Sequence, residues 1–222
     1  MGAVAGAETT SRLFVLCGID GAGKTTMLRQ AAARRPDWEV GSYEPKSWLP
    51  HPDLPHFAWC LEHDPRLVTA ALTASTRAAF LASMVVTHFD YWVRPRLTAG
   101  SVVLMDSLHY RFLARAQVRG ETTALLEAAA ADLPWPDMLV LAELDPEVAA
   151  RRKDGFDPHE CSRDPTVGDF VDFQAEVQDA LRRMGRTRVR SFSTLDASGP
   201  PDAAADQLIA LLDPQLTRRA GN

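Results

Sequence analysis

Nowhere does the chain carry an apolar run approaching the roughly 20 residues that a membrane-spanning helix needs, so an integral helical membrane protein is not expected. Basic residues are not in excess: Lys and Arg number 24 against 29 Asp and Glu, a net charge of −5. That balance argues against a protein whose main task is to coat nucleic acid or an anionic membrane, although it leaves room for one local basic site that holds phosphates. Cysteine is scarce. Cys17, Cys60 and Cys161 are odd in number and scattered, which gives no disulfide framework, and a reducing cytoplasm is the expected location. Internal repeats and low-complexity segments are missing too. Residues 1–11 lack the basic and apolar regions of a secretory signal and are expected to form a flexible tail. What is present is ordinary globular composition, 46% hydrophobic and 24% charged over 222 residues, and the reading is one domain over 12–222.

Within that domain, short apolar runs alternate with helical patterns. Leu13 to Cys17 reads as a buried parallel strand ending in glycine, followed by a helix over Lys24 to Arg34 and a weaker strand over Trp38 to Tyr43. Pro45, Pro50, Pro52, Pro55 and Pro65 exclude a regular helix or central strand between Glu44 and Pro65. Trp48, Phe57 and Trp59 make that stretch a long structured loop. A long helix is expected over Arg66 to Arg94, ended by Pro95, then a strand over Ser101 to Met105 and a helix over Arg111 to Ala131. Asp137 to Leu144 contains a further strand and Pro146 to Arg152 starts a helix. Asp169 to Met184, with Phe170, Phe173, Val177 and Leu181 apolar at helical spacing, precedes a last strand over Arg188 to Leu195 and a last helix over Ala203 to Leu212. Such alternation predicts an α/β fold, a parallel sheet with helices on both faces.

The sharpest signal is Gly18-Ile19-Asp20-Gly21-Ala22-Gly23-Lys24-Thr25, which fits G-x-x-x-x-G-K-[ST] and lies between a buried strand and a helix. Glycines let the backbone wrap an oxyanion. The freed N–H groups and the helix N-terminus attract negative charge. Lys24 is placed to reach the β- and γ-phosphates, and the Thr25 hydroxyl to ligate Mg²⁺.

The stretch GIDGAGKTT, Gly18 to Thr26, resembles the phosphate loop of thymidylate kinases, which carry an acidic residue where Asp20 stands. Arg94 to Asp106 (RPRLTAGSVVLMD), Pro136-Asp137, Leu144 to Ala149 (LDPEVA) and Leu195-Asp196-Ala197 resemble further segments of that family, in the same order. The resemblance implies a P-loop NTPase fold with a five-stranded parallel sheet and a short lid, ATP as donor, Mg²⁺, a small-molecule acceptor and often a homodimer. It implies that Gly18, Gly21, Ala22, Gly23, Lys24, Thr25 and Thr26 hold the ATP phosphates, with Thr25 and Asp106 at the metal. Asp20 would lie beside the acceptor. Arg151, Arg152 and Arg163 would lie in a lid over about 151–168 and stabilise the transferring phosphoryl group. The acceptor region would span about 44–92, with Tyr43, Trp48, Phe80 and Arg111 as contacts.

The chain departs from that family where the acceptor should bind. The family's Asp-Arg pair is Asp106-Ser107 here, and its arginine before Glu-Pro is missing from Tyr43-Glu44-Pro45-Lys46. Its base-reading arginine on the long helix falls at Val85 or Met84. Each lost charge-assisted hydrogen bond is worth about 1.5–3 kcal/mol. Lys46, Arg111 and Arg115 are the candidate replacements. Three readings stay open: a kinase of a nucleoside monophosphate or related molecule; a kinase of an unphosphorylated hydroxyl acceptor with Glu44 as general base, Asp20 and Asp106 competing for that role; and a catalytically silent nucleotide-binding protein. His51, His56, Cys60 and His63 form a weak zinc candidate, His109 a weak acceptor contact, and the basic run Arg182 to Arg190 a solvated face.

Overall fold

The computed structural model of the protein describes residues 11–42 and 72–217. Tyr43, Glu44, Lys46 and Trp48, the proline-rich stretch and the His51, His56, Cys60, His63 group lie outside those residues. Five strands, β1 (Arg12–Gly18), β2 (Trp38–Gly41), β3 (Val102–Asp106), β4 (Met138–Glu143) and β5 (Phe192–Asp196), form one sheet. All pairs are parallel and the spatial order is β2-β3-β1-β4-β5. Eight helices connect them among the described residues: α1 (Lys24–Arg34), α2 (Ala74–His88), α3 (Arg94–Thr98), α4 (Tyr110–Val118), α5 (Ala124–Ala130), α6 (Pro146–Arg151), α7 (Val167–Thr187) and α8 (Pro201–Leu216).

Strand alternation divides the core in two. Phe14 and Leu16 of β1 pack with Met27 and Leu28 of α1 and Leu208 and Leu212 of α8. Leu13, Val15 and Cys17 point the other way, toward α2, α4, α5 and α7. Because both faces of β1 are covered, its sequence is a continuous apolar run, and each fully buried Leu or Phe contributes about 2 kcal/mol. The Asp137 carboxylate accepts the Leu13 N–H at 2.8 Å, while the Asp137 N–H donates to the Leu13 carbonyl at 2.8 Å. These two bonds fix the β1–β4 register in which Gly18 lies beside Ala142, and on the other side of β1 the pairing with β3 sets Leu16 beside Asp106. The C-terminal ends of β1, β3 and β4 therefore meet at one edge, where open α/β sheets bind their ligands.

Four boundaries differ from the sequence reading. The long helix starts at Ala74, capped by the Thr73 side chain, which accepts the Thr76 N–H, rather than at Arg66. Pro95 does not end the long helix: a π-helical turn over Phe89–Val93, closed by the Arg94 N–H on the Phe89 carbonyl, leads directly into α3. The widened turn removes the regular ladder where proline has no donor. The helix expected over 111–131 is two helices, because Gly120 adopts φ +66° and its N–H bonds the Gln117 carbonyl while the Glu121 N–H bonds that of Ala116, a Schellman stop. The last strand starts at Phe192 rather than Arg188, since pairing with β4 begins there.

Candidate functional site

The loop from β1 into α1 has the geometry its sequence requires. Gly21 and Gly23 take φ of +83° and +78°, values an L side chain resists by about 1–2 kcal/mol. A Cβ on Gly21 would also stand 3.0 Å from the Ala149 carbonyl oxygen of α6. Ala22 is buried and offers only its backbone, while Thr25 is exposed on the first turn of α1. Gly18 ends β1 and Thr26 continues α1 behind the loop. Lys24 is buried, and its Nζ donates to the Ile19 carbonyl at 2.8 Å. Burial draws its pKa down, opposed by the nearby carboxylates of Asp106 and Asp20. An exposed hydroxyl at a helix N-terminus, a lysine held against the loop and a strand-end carboxylate are the donor set that a Mg²⁺-nucleotide needs, so the residues present fit that group.

Asp106 ends β3 next to Leu16. Its Oδ1 accepts a hydrogen bond from the Ser107 hydroxyl at 2.6 Å. Ser107 and Leu108 both have positive φ, 56° and 43°. The Ser107 N–H is held by the Leu16 carbonyl at 2.9 Å, so the turn is tied to the strand preceding the phosphate loop. Ser107 is completely buried and faces Asp106, and Val85 and Met84 belong to the apolar core under α2. None of these positions substitutes for the missing arginines.

Cationic charge arrives instead from α4. Arg115 is buried and forms an ion pair with Asp20. Arg111, one turn earlier, is close enough to act electrostatically on Lys24 and Asp20. Burial alone would raise the Asp20 pKa, but Arg115, Lys24 and Arg111 overcome it and hold the carboxyl well below the usual carboxylate range. Asp20 is consequently a poor general base. Arg119, at the end of α4, completes a one-sided i, i+4, i+8 series with Arg111 and Arg115.

The arginines expected in a lid are engaged differently. Arg151 is exposed and lies 3.7 Å from Glu147. Arg152 donates to the Ala197 and Ser198 carbonyls at 3.2 and 3.1 Å, bracing the turn after β5. Arg163 is exposed, and its backbone N–H is bound by Asp169 at 3.1 Å. Phe80 is half-buried against the core cluster of α2. His109 is buried and stacked on Tyr110 with ring centroids 4.3 Å apart, and burial, with Arg188 adding to it, pushes its pKa down to about 4. Sequence reasoning missed Arg77, which pairs with Glu121, and Gln174, whose amide reaches Asp20. The i, i+4 spacing of three arginines was a usable signal for the α4 series; a glutamine within an apolar helical stripe was the only one for Gln174.

No family model matches the chain. Among curated proteins, the thymidylate kinase of Xanthomonas euvesicatoria pv. vesicatoria is 30% identical over 202 residues, covering 87% of this chain and 77% of that protein. The thymidylate kinase of Xanthomonas oryzae pv. oryzae is 30% identical over 217 residues, covering 93% and 85%. That of a Synechococcus species is 29% identical over 216 residues, covering 89% and 93%. Near-complete coverage, a five-stranded parallel sheet and the phosphate loop at its edge agree with one another: the chain belongs to the thymidylate kinase family.

Proposed function

We propose that the protein is an ATP- and Mg²⁺-dependent kinase that transfers the γ-phosphoryl group to a nucleoside monophosphate. Its relatives are named for an ATP-dependent phosphotransferase activity on a nucleotide. The observation that carries the acceptor class is the charge around Asp20. Arg115, Lys24 and Arg111 all act on Asp20, and Asp106 acts on Lys24, so cationic side chains gather beside the phosphate loop. Cationic side chains gathered beside a phosphate loop favour an anionic acceptor, and a phosphate is one.

In this reading the backbone of Gly18 to Gly23, with Lys24, cradles the donor phosphates. Thr25 and Asp106 would hold Mg²⁺, which when bound neutralises charge on the phosphates and orients them. Ser107 orients Asp106. Arg111, with Arg115, grips the acceptor phosphate, a weaker bidentate match to be completed by Lys46 or Tyr43. Trp48 and Phe80 flank its base. Lid arginines Arg152 and Arg163 stabilise the transferring group when the lid over about 151–168 excludes water, and Arg151 borders the donor. A phosphate acceptor is already ionised, so no general base is required. One kinase domain over 12–222, a homodimer and a cytoplasmic location belong to the same reading.

The test is product mass after incubation with Mg-ATP and dTMP, with Lys24→Ala as control. A dTDP product made by wild type alone supports the proposal. ATP binding without dTDP overturns the dTMP reading and favours a hydroxyl acceptor, for which Glu44→Gln is the next variant. ATP binding without turnover of any acceptor leaves the silent nucleotide-binding reading.

A further inference from the structure

Gln174 lies inside the apolar stripe of α7, between Phe173 and Val177, and is completely buried. A buried primary amide brings two N–H donors and a carbonyl that all need partners. Its Oε1 accepts the Asp20 backbone N–H at 3.1 Å. Its Nε2 donates to Asp20 Oδ2 at 3.1 Å and to the Glu160 backbone carbonyl at 2.8 Å. One side chain thus holds the backbone and carboxylate of a phosphate-loop residue together with the backbone of the lid segment, 154 and 14 residues away in sequence.

Arg119 reinforces the lid side. Its guanidinium donates to the His159 carbonyl at 2.7 Å and the Cys161 carbonyl at 2.9 Å, and lies 4.7 Å from the Phe173 ring centroid. Three consecutive carbonyls, 159 to 161, are captured by two side chains from α7 and the end of α4. The Glu160 carboxylate is occupied as well, accepting from Lys153 at 2.9 Å and from the Asp157 N–H at 3.1 Å. Glu160 and Cys161 are buried, whereas residues 162–168 are exposed.

We propose that Gln174 is a positioning residue for phosphoryl transfer: its amide fixes the turn of the phosphate loop at Asp20 to a pivot at Glu160, about which the exposed part of the lid closes. The proposal rests on the kinase reading above. It narrows the lid, because the moving portion is the exposed stretch bearing Arg163 rather than the whole of 151–168. Misplacing the pivot loosens the loop at Asp20 and leaves Lys24 and Thr25 on the first turn of α1. It costs the geometry that completes the site and excludes water.

The experiment compares wild type with Gln174→Met, which removes all three bonds, and Gln174→Glu, which keeps the volume and the acceptor for the Asp20 N–H but loses both donors. Hydrogen exchange without nucleotide is expected to accelerate about tenfold or more in peptides covering 157–166 in both variants, with β1, β3 and β4 peptides unchanged. With Mg-ATP and dTMP, kcat for transfer is expected to fall about tenfold or more while KM for ATP stays within about threefold, and the fraction of ATP lost to water rises. Unchanged exchange over 157–166 with an unchanged ratio of transfer to hydrolysis overturns the proposal. So does parallel acceleration of exchange in the sheet peptides, which would make the role merely structural. If wild type makes no dTDP, the acceptor reading fails by itself, and exchange with ATP loss to water still decides the role of Gln174.

Discussion

The loop after β1 and the turn after β3 leave neighbouring strands at one sheet edge, yet the first takes its left-handed residues as Gly21 and Gly23 and the second as Ser107 and Leu108. Glycine adopts such φ values at no steric cost, so the phosphate loop offers its N–H groups to a ligand without stored strain. At Ser107 and Leu108 the same conformation costs about 1–2 kcal/mol per residue. Complete burial of the Leu108 side chain returns about 2 kcal/mol. The two hydrogen bonds of Ser107, to Leu16 and Asp106, return about 1 kcal/mol each. One turn is shaped to receive something from outside. The other is shaped by the protein itself to present the Asp106 carboxylate, and it is over-determined by packing.

Breaking the receiving side gives the largest effect. Lys24→Ala is expected to lower phosphoryl transfer on the order of 10³-fold with little change in thermal stability, measured as the rate of dTDP formation and a thermal melt. Arg115→Met comes next. It should lower kcat/KM for dTMP about 10²-fold, and it leaves Asp20 buried without its ion-pair partner, which costs about 3–5 kcal/mol in a urea titration at pH 7. The third prediction follows the sign of the Asp20 pKa. Its folded value is depressed, so the stability it contributes is fully present above its unfolded value near about 3.9 and is lost as pH falls below that. Urea midpoints of wild type and Asp20→Asn should differ most above about pH 5, and the gap should narrow steadily as pH falls below about 3.9; a gap that widens on acidification would contradict the assignment. The smallest effect sharpens the comparison. Ser107→Gly relieves about 1 kcal/mol of strain and removes a hydrogen bond of similar worth, so stability should stay within about 0.5 kcal/mol while kcat falls several-fold. A large stability change would show that the β3 turn is held by something other than those two terms.

Much of the scaffold was legible in the chain. Leu13 to Cys17, Ser101 to Met105 and the MLVLAEL run within Asp137 to Leu144 read as buried strands because parallel strands covered on both faces are apolar nearly throughout. The phosphate loop was legible because its function is local: strand, glycines, lysine and helix are contiguous. Errors came where the local pattern and the packing disagree. Arg188 to Ser191 alternates like a strand, but a strand needs a partner, and β4 pairs only from Phe192 onward. Pro95 signals a helix end, but a π-turn accommodates it. Gly120 inside an otherwise helical pattern was passed over although its position suits a helix stop.

The site divides along the same line. The sequence by itself puts Lys24, Thr25 and Asp106 at or just beyond the C-terminal ends of readable strands, which is why it proposes them for one phosphate site. That Asp20 is an ion-paired anchor rather than a free base was decided by tertiary structure, as was the place of Arg115 and of Gln174. Their partners stand 95 and 154 residues away. A side chain's protonation and bonding are fixed by what surrounds it after α4 and α7 pack against the sheet. Sequence periodicity says which face of a helix is buried; it does not say which buried amide or guanidinium will meet which carboxylate.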